Sequence, residues 1–497
     1  MNLPAKTNNR VLFVSHEASR TGAPMFLLHF LRWLRQNTDL DFEILIGKGG
    51  PLEPEFAKVA TVQTQKNLQS PEVIRTFSLI YSNTACNSKL LQSLPTGNIP
   101  IVTHVHELDS GFNCIGARAM AAMVAQTNSF IGCSQIVCQR LEHVFKISRD
   151  NIHLHYEMID DAIQNQKLSK ENSIARAQYG IPQDALVVAA CGTFDFRKAG
   201  DIFIQLAAKV KQKLAHSHPV KFIWIGSLGN ASFFDFLQLD VRKLGLSTTL
   251  QFVGELKDPH SLLAECDIFC LTSREDPFPL AMLEAGALEK PVICFEDSGG
   301  GSEFCSLGGG ISVPYLDVEA MANTVLELQK SQSLRSAIGG RAAQLVRNSF
   351  TVSNCAPILF QRLQSFLEGN IAERPYWNYE TKYTQIYETW CLAESPEQQL
   401  VKFDLDQHAN FKEAKALADQ GKKDSYIKLL VNMATKALAT NNPTIIYESF
   451  SEISKKLMPV DPKIAGPMHK SAQNILKNVL QPQPDWLEVG PTGVSFS

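Results

Sequence analysis

The stretch LTSREDPFPLAMLEAGA, Leu271–Ala287, decides how this 497-residue chain is read. It follows the apolar run Asp267-Ile-Phe-Cys-Leu271, which reads as a buried strand. It then breaks on Pro277 and Pro279 and enters the helix-like Leu280-Ala-Met-Leu-Glu-Ala-Gly-Ala287. Strand, Pro-interrupted loop and helix start together place polar groups at the carboxyl edge of a parallel sheet, where open α/β folds bind ligands. Asp276 and Glu284 frame the loop with seven residues between them. Spacing alone equally allows a helix cap and a solvated Glu, because acidic residues are favoured in a first helical turn.

Outward from that loop the same pattern repeats. Ala185–Ala190, Val220–Ile225, Leu250–Gly254 and Pro291–Phe295 are near-continuous apolar runs separated by helix-length segments, the signature of a parallel sheet covered on both faces. The glycine run Ser298-Gly-Gly-Gly-Ser-Glu303 follows, and such a run lets backbone approach a ligand closely or serves as a plain loop. An earlier set of strand-like runs lies at Arg10–Ser15, Phe42–Gly47, Leu79–Ser82, Ile101–Val105 and Ser129–Gly132. Its first turn holds Gly22 and Pro24 ahead of Met25–Leu34, where apolar residues recur at helical spacing.

The expectation is an α/β chain of two Rossmann-like, doubly wound halves in series. The first domain is 1–170, the second 171–368, and a mainly helical extension fills 369–497. The polar stretch Ile159–Lys167 reads as a linker between the halves, whose cleft would hold the ligand. The extension is rich in Lys, Glu, Gln and Ala and opens with Tyr376, Trp377, Tyr379, Tyr383, Tyr387 and Trp390. It carries no legible chemistry, and the roles open to it are binding a partner or self-association.

Composition narrows the classes. A net charge of −3 gives no global pull toward nucleic acid. The polar N-terminus has no apolar signal core, and no run of 18 apolar residues occurs, so a cytoplasmic protein is expected, at most peripheral at the inner membrane face. The eleven cysteines show no paired framework, and neither Cys133 with Cys138 nor Cys266 with Cys270 has His or Cys partners at ligand spacing, so no metal site is expected.

Three further constellations complement the acidic pair. Thr21-Gly22-Ala23-Pro24 opens a helix, and a helix N-terminus can seat an anion. His104 and His106 alternate at a strand end with Glu107 adjacent. They are expected to face opposite sides, with His106 toward the cleft. Cys191-Gly192-Thr-Phe-Asp-Phe-Arg197-Lys198-Ala-Gly200-Asp201 is a strand-to-helix loop with two cations suited to a diphosphate. Taken singly, these read as a turn, a structural His and a solvated basic pair. Together they fit a nucleoside diphosphate bearing a sugar.

Over roughly 10–365 the residues resemble the retaining GT-B glycosyltransferases called family 4, or group 1. The likeness is strongest in FVGELKDPHSLLAECDIFCLTSREDPFPLAMLEAGALEKPVICFEDSGGGSEF. It implies a nucleoside-diphosphate sugar donor (UDP-, GDP- or ADP-linked), no permanent cofactor, and a glycan, lipid-linked or protein acceptor. It also implies roles. Glu284 would bind the ribose, and Asp276 would stand where members carry the first Glu, with Phe278 keeping the aromatic. Gly22 and Gly192 would lie near the phosphates, Lys198 would neutralise them, and His106 would line the acceptor side near the reacting sugar.

Departures from the pattern are specific. Asp276 is one methylene short, Pro277 and Pro279 replace glycines and lack N–H donors, and Thr193 stands where an Arg is expected. Arg197 is the proposed substitute for that Arg, and Glu275 for the missing reach. No Asp-x-Asp lies at a strand end to hold a cation, which agrees with a metal-independent class, and the resemblance implies hexosyl transfer with retention of configuration. The competing expectations are a catalytically degenerate scaffold and, on the same fold, a nucleotide-sugar epimerase or sugar phosphorylase.

Overall fold

Strand β1 (Arg10–Glu17) buries five consecutive residues, Val11 to Ser15, and a strand apolar on both faces must be covered on both. In the computed structural model, which describes residues 9–165, 174–214, 219–373 and helical positions scattered between 416 and 470, that strand is the centre of a sheet. Its partners are β2 (Asp41–Lys48), β3 (Thr61–Gln63), β4 (Leu79–Asn83), β5 (Ile101–Val105), β6 (Ser129–Gly132) and β7 (Ile152–Leu154). The spatial order is β3-β2-β1-β4-β5-β6-β7, and every pairing is parallel.

The second sheet repeats the logic with β8 (Leu186–Cys191), β9 (Val220–Ile225), β10 (Leu250–Gly254), β11 (Ile268–Leu271), β12 (Val292–Phe295) and β13 (Gly310–Val313). Their order is β10-β9-β8-β11-β12-β13, again all parallel. The two doubly wound halves expected from sequence are therefore present. The strands that sequence reading missed, β3, β7 and β13, are three- and four-residue edge strands with polar or glycine positions and too little apolar pattern to register.

Each sheet changes direction once, between β1 and β4 in the first and between β8 and β11 in the second. In open α/β sheets the loops at such a reversal are where ligands bind. Aromatic packing holds both centres. Phe13 meets Phe30, Phe42 and Tyr81 at centroid distances of 6.1, 5.7 and 5.2 Å, and Trp224 meets Phe194 and Phe203 at 4.9 and 5.4 Å. Each fully buried Phe of this kind stabilises by about 1.5–3 kcal/mol relative to exposure.

The chain crosses between halves twice. Ile159 N–H donates to the Phe350 carbonyl and Val352 N–H to the Ile159 carbonyl, both at 3.0 Å. After the second crossing, helix Val352–Leu367 packs Ala356, Leu359, Leu363 and Phe366 into the core of the first sheet.

Residues 1–386 and 387–497 form separate units. In the second, all described positions are helical, Tyr426, Leu430, Met433, Phe450 and Ile453 are buried, and Tyr426 Oη donates to the Lys456 carbonyl at 3.2 Å. The aromatic run Tyr376–Trp390 lies outside the described residues. Among the described residues no helix is long and apolar enough to cross a membrane.

Candidate functional site

At the second switch point the loops after β8 and β11 are laced together. Lys198 N–H donates to Asp195 Oδ1 at 2.6 Å, and Arg274 N–H to the Arg197 carbonyl at 2.9 Å. The Arg274 guanidinium lies 3.9 Å over the Phe196 ring and grips both carboxylate oxygens of Asp201, at 2.9 and 2.7 Å. Bidentate pairing is the geometry arginine is suited to. Gly192 sits at φ +144°, a backbone conformation that L side chains rarely adopt, with the Lys198 stem alongside.

These ties present Lys198 and Arg197 to Asp276. Lys198 Nζ hydrogen-bonds Asp276 Oδ2, Ser273 Oγ donates to the same oxygen at 3.2 Å, and Arg197 Nη1 stands 3.6 Å from Oδ1. Burial alone would raise the Asp276 pKa. The charges of Lys198 and Arg197, with the hydrogen bonds, instead hold it below the usual aspartate value. Asp276 is thus an ionised, buried partner of the cations and not a helix cap. Helix Leu280–Ala287 begins after Pro279 with no side-chain cap.

The glycine run approaches Asp276 itself. Asp276 N–H donates to the Ser298 carbonyl at 2.7 Å, and Gly300 N–H donates back to the Asp276 carbonyl at 3.0 Å. A Cβ on Gly299, at φ +117°, would sit 2.0 Å from that carbonyl oxygen.

The other expected residues divide. Glu284 lies one helical turn inside Leu280–Ala287, its Oε1 3.4 Å from His260 Nε2. Burial pushes the His260 pKa down, but the Glu284 carboxylate more than offsets it, and the net shift is upward. Phe278 is buried and stacks on Tyr156 and Phe350 at 5.0 and 5.4 Å, in an aromatic cluster where the halves meet. Gly22 begins helix Gly22–Asn37 with open space around it. That helix start has no acidic first-turn residue and no side-chain cap. Glu275 reaches the first half, where its carboxylate accepts from Ser110 N–H at 3.1 Å and Ser110 Oγ at 2.6 Å. Tyr156 Oη and Gln135 N–H bridge similarly to Glu303, at 2.5 and 3.1 Å.

The histidine pair corrects its expectation. His104 and His106 share a face, with ring centroids 4.1 Å apart, because side chains two residues apart on a strand point the same way. The carboxylate on the His106 ring is Glu157, at 2.6 Å, and not the adjacent Glu107. Glu107 instead accepts from Thr84 Oγ1, Ala85 N–H and His106 N–H. Nor is Cys133 without partners: one ligand atom each from His106, Cys133 and Glu157 fall within 4.8 Å of one another. Glu157 lies 51 positions from His106, and sequence gave no signal for it. The ten described cysteines are free, and Cys294 and Cys305 approach to 3.4 Å between sulfurs.

Residues 171–345, which contain the whole second switch point, match the family described as Glycosyl transferases group 1. The chain is 26% identical over 193 residues (39% of this chain, 54% of the relative) to lipopolysaccharide core biosynthesis glycosyltransferase LpsE of Rhizobium meliloti. It is 25% identical over 214 residues (43% and 54%) to capsular polysaccharide biosynthesis glycosyltransferase CapM of Staphylococcus aureus. The chain thus spans about half the length of these relatives. Among solved structures, Anabaena HepE in complex with UDP and glucose superposes with a TM-score of 0.63 at 21% identity, covering 72% of this chain and 99% of that one. These likenesses set residues 171–345 with the Glycosyl transferases group 1 family, in a chain whose two parallel-sheet domains have the GT-B fold.

Proposed function

We propose that the protein is a glycosyltransferase that moves a sugar from a nucleoside-diphosphate sugar to a glycan, lipid-linked or protein acceptor of a surface polysaccharide pathway. The donor is bound by the second half, the acceptor by the first, and the anomeric configuration is retained without a metal. The observation that carries this reading is the Lys198–Asp276 pair at the second switch point, inside the matched segment. An ammonium held on a carboxylate that a diphosphate can outcompete is a store of positive charge for a leaving group. Named relatives in lipopolysaccharide and capsule synthesis, and a UDP-bound structural neighbour, support the donor and acceptor classes.

In this mechanism the glycosidic bond stretches and negative charge builds on the departing diphosphate. Lys198 turns from Asp276 to that charge, Arg197 adds a second cation, and the N–H groups of Gly22 and Ala23 face it from the other side. Glu284 holds the ribose hydroxyls, with His260 beside it. Contacts such as Ser110 with Glu275 keep the halves together and water out, since water would hydrolyse the donor. A peripheral membrane encounter would suit a lipid-linked acceptor, and the helical extension would serve partner binding or self-association.

A second reading, a scaffold that binds without transferring, is favoured by the burial of Asp276 and by Pro277 and Pro279 beside it. One experiment separates the two. A panel of UDP-, GDP- and ADP-sugars is tested for thermal stabilisation and for slow donor hydrolysis. One donor should raise Tm and be turned over, and Glu284→Ala should lose both. Binding without turnover, or no binding by any donor, overturns the enzyme reading and selects the scaffold.

A further inference from the structure

Under the carboxyl edge of the first sheet lies a cluster that the donor chemistry does not use. His104, His106 and His155 surround Phe26 at centroid distances of 4.9, 5.4 and 5.9 Å. His106 is the hub. Its Nδ1 lies 2.6 Å from Glu157 Oε1 and its Nε2 3.0 Å from Asn83 Oδ1, with both the His106 and Glu157 side chains only 5% exposed.

The neighbours fix where the protons are. Asn83 Nδ2 donates to the Ala23 carbonyl at 2.7 Å, so the amide must turn its oxygen, which only accepts, toward His106. Nε2 therefore carries a hydrogen. At 2.6 Å from a carboxylate oxygen, Nδ1 needs one too, and imidazole is a stronger base than a carboxylate. The result is a buried imidazolium with both donors spent inside the protein. Burial lowers the His106 pKa, yet the charge and hydrogen bond of Glu157 outweigh it and the net shift is upward.

The chain of bonds continues outward. His106 orients Asn83, and Asn83 ties down Ala23 in the first turn of helix Gly22–Asn37, the uncapped helix start that faces the second half. Arg20, just before it, reaches Glu255 of that half at 3.8 Å.

Resting on the donor reading above, we propose that Glu157 is a positioning residue: it holds His106 as an imidazolium and, through Asn83, sets the first turn of helix Gly22–Asn37 for the departing diphosphate. His106 then acts as a fixed charge and strut, and neither ring nitrogen is left to bind sugar or accept a proton. The other titratable groups around it are His104, His155, His16, Glu107 and Cys133. Desolvation lowers the pKa of all three of these histidines, which leaves His106 as the charged one.

The test uses the full chain labelled with 15N-histidine, with the His106 ring signal identified by its loss in His106→Gln. At about pH 7.5, well above an ordinary histidine pKa, both wild-type ring nitrogens should be protonated. In Glu157→Gln one should be bare. Amide exchange at Met25, whose N–H closes that first turn on the Thr21 carbonyl at 3.1 Å, should rise roughly tenfold in that variant, the scale of one lost charge-assisted hydrogen bond. If Glu157→Gln does not fold, raising the pH on wild type until the His106 signal titrates should speed exchange at Met25 beyond the base-catalysed rise shared by the other amides of that helix. A neutral His106 in wild type overturns the proposal, as does exchange that ignores its charge state, or zinc that displaces the Nδ1 proton at equimolar amounts. None of these readouts needs a donor, so failure of the donor reading is separately visible. Where a donor is turned over, Glu157→Gln should lower kcat increasingly as pH rises, with KM little changed.

Discussion

The two switch points are built alike and finished differently. Each brings a cation onto a buried carboxylate near where its sheet reverses direction: His106, one strand beyond the reversal, on Glu157 in the first half, and the half-buried Lys198 on Asp276 in the second. In the first, both ring nitrogens are committed to protein acceptors and the charge cannot be handed to a ligand. In the second, an ammonium with three donors meets one carboxylate oxygen, and its neighbour Arg197 is 35% exposed. A closed pair positions and an open pair exchanges. In the proposed mechanism, this contrast lets one half present backbone while the other supplies mobile charge.

The largest way to break this contrast is Lys198→Ala. Removing one preorganised stabilising donor costs on the order of 10²–10³ in kcat, so donor turnover should fall by that much. Asp276 is left as an uncompensated buried charge, so stability should fall by about 3–5 kcal/mol in denaturant melts. The double variant Lys198→Ala/Asp276→Asn should recover the stability and none of the activity. Recovery of both would mean the pair is only structural.

Next in size is Gly299→Ala. With φ at +117° and a Cβ 2.0 Å from the Asp276 carbonyl, the loop must move. A loss of roughly 2–3 kcal/mol in stability is expected, with weaker donor binding by calorimetry. An unchanged Tm would contradict the close approach.

Arg197→Ala should do less. Its partly exposed guanidinium is worth about 1 kcal/mol or under, so donor Kd should rise up to roughly fivefold while turnover survives. Unchanged affinity beside a dead Lys198→Ala would remove Arg197 as the substitute for the Arg absent at Thr193.

The smallest effects run along pH, with opposite signs. Asp276, held low, contributes stability that is present above the ordinary aspartate pKa near 3.9 and lost as pH falls through its folded value. His106, held high, contributes stability that is complete below about 6.5 and lost as pH rises through its folded value. Thermal melts from about pH 3 to 9 on Asp276→Asn and Glu157→Gln should flatten the acid and alkaline limbs respectively. Flattening of the same limb by both would refute the assignment.

The central strands were legible because strands covered on both faces are written as continuous apolar runs, as at Val220–Ile225 and Ile101–Val105, whose bounds the structure matches. The edge strand Thr61–Gln63, half solvated and three residues long, has no such script. The cationic loop and the acidic pair were legible as motifs because each lies within one strand-to-helix turn. Glu157 was not, since its partner comes from another strand and a nearer carboxylate, Glu107, offered itself in sequence. Glu275 looked like a substitute for the reach that Asp276 lacks because it stands next to it in the chain. Only folding reveals that it faces Ser110.

Helix Val352–Leu367, which closes the core of the first sheet, has a consequence for biosynthesis. The last strand of that sheet, Ile152–Leu154, leaves the ribosome more than two hundred residues before the helix does. At 5–20 residues per second this is roughly 10–40 s during which the nascent first half exposes the apolar surface that Leu359, Leu363 and Phe366 will cover. The amino-terminal half, although made first, is completed last.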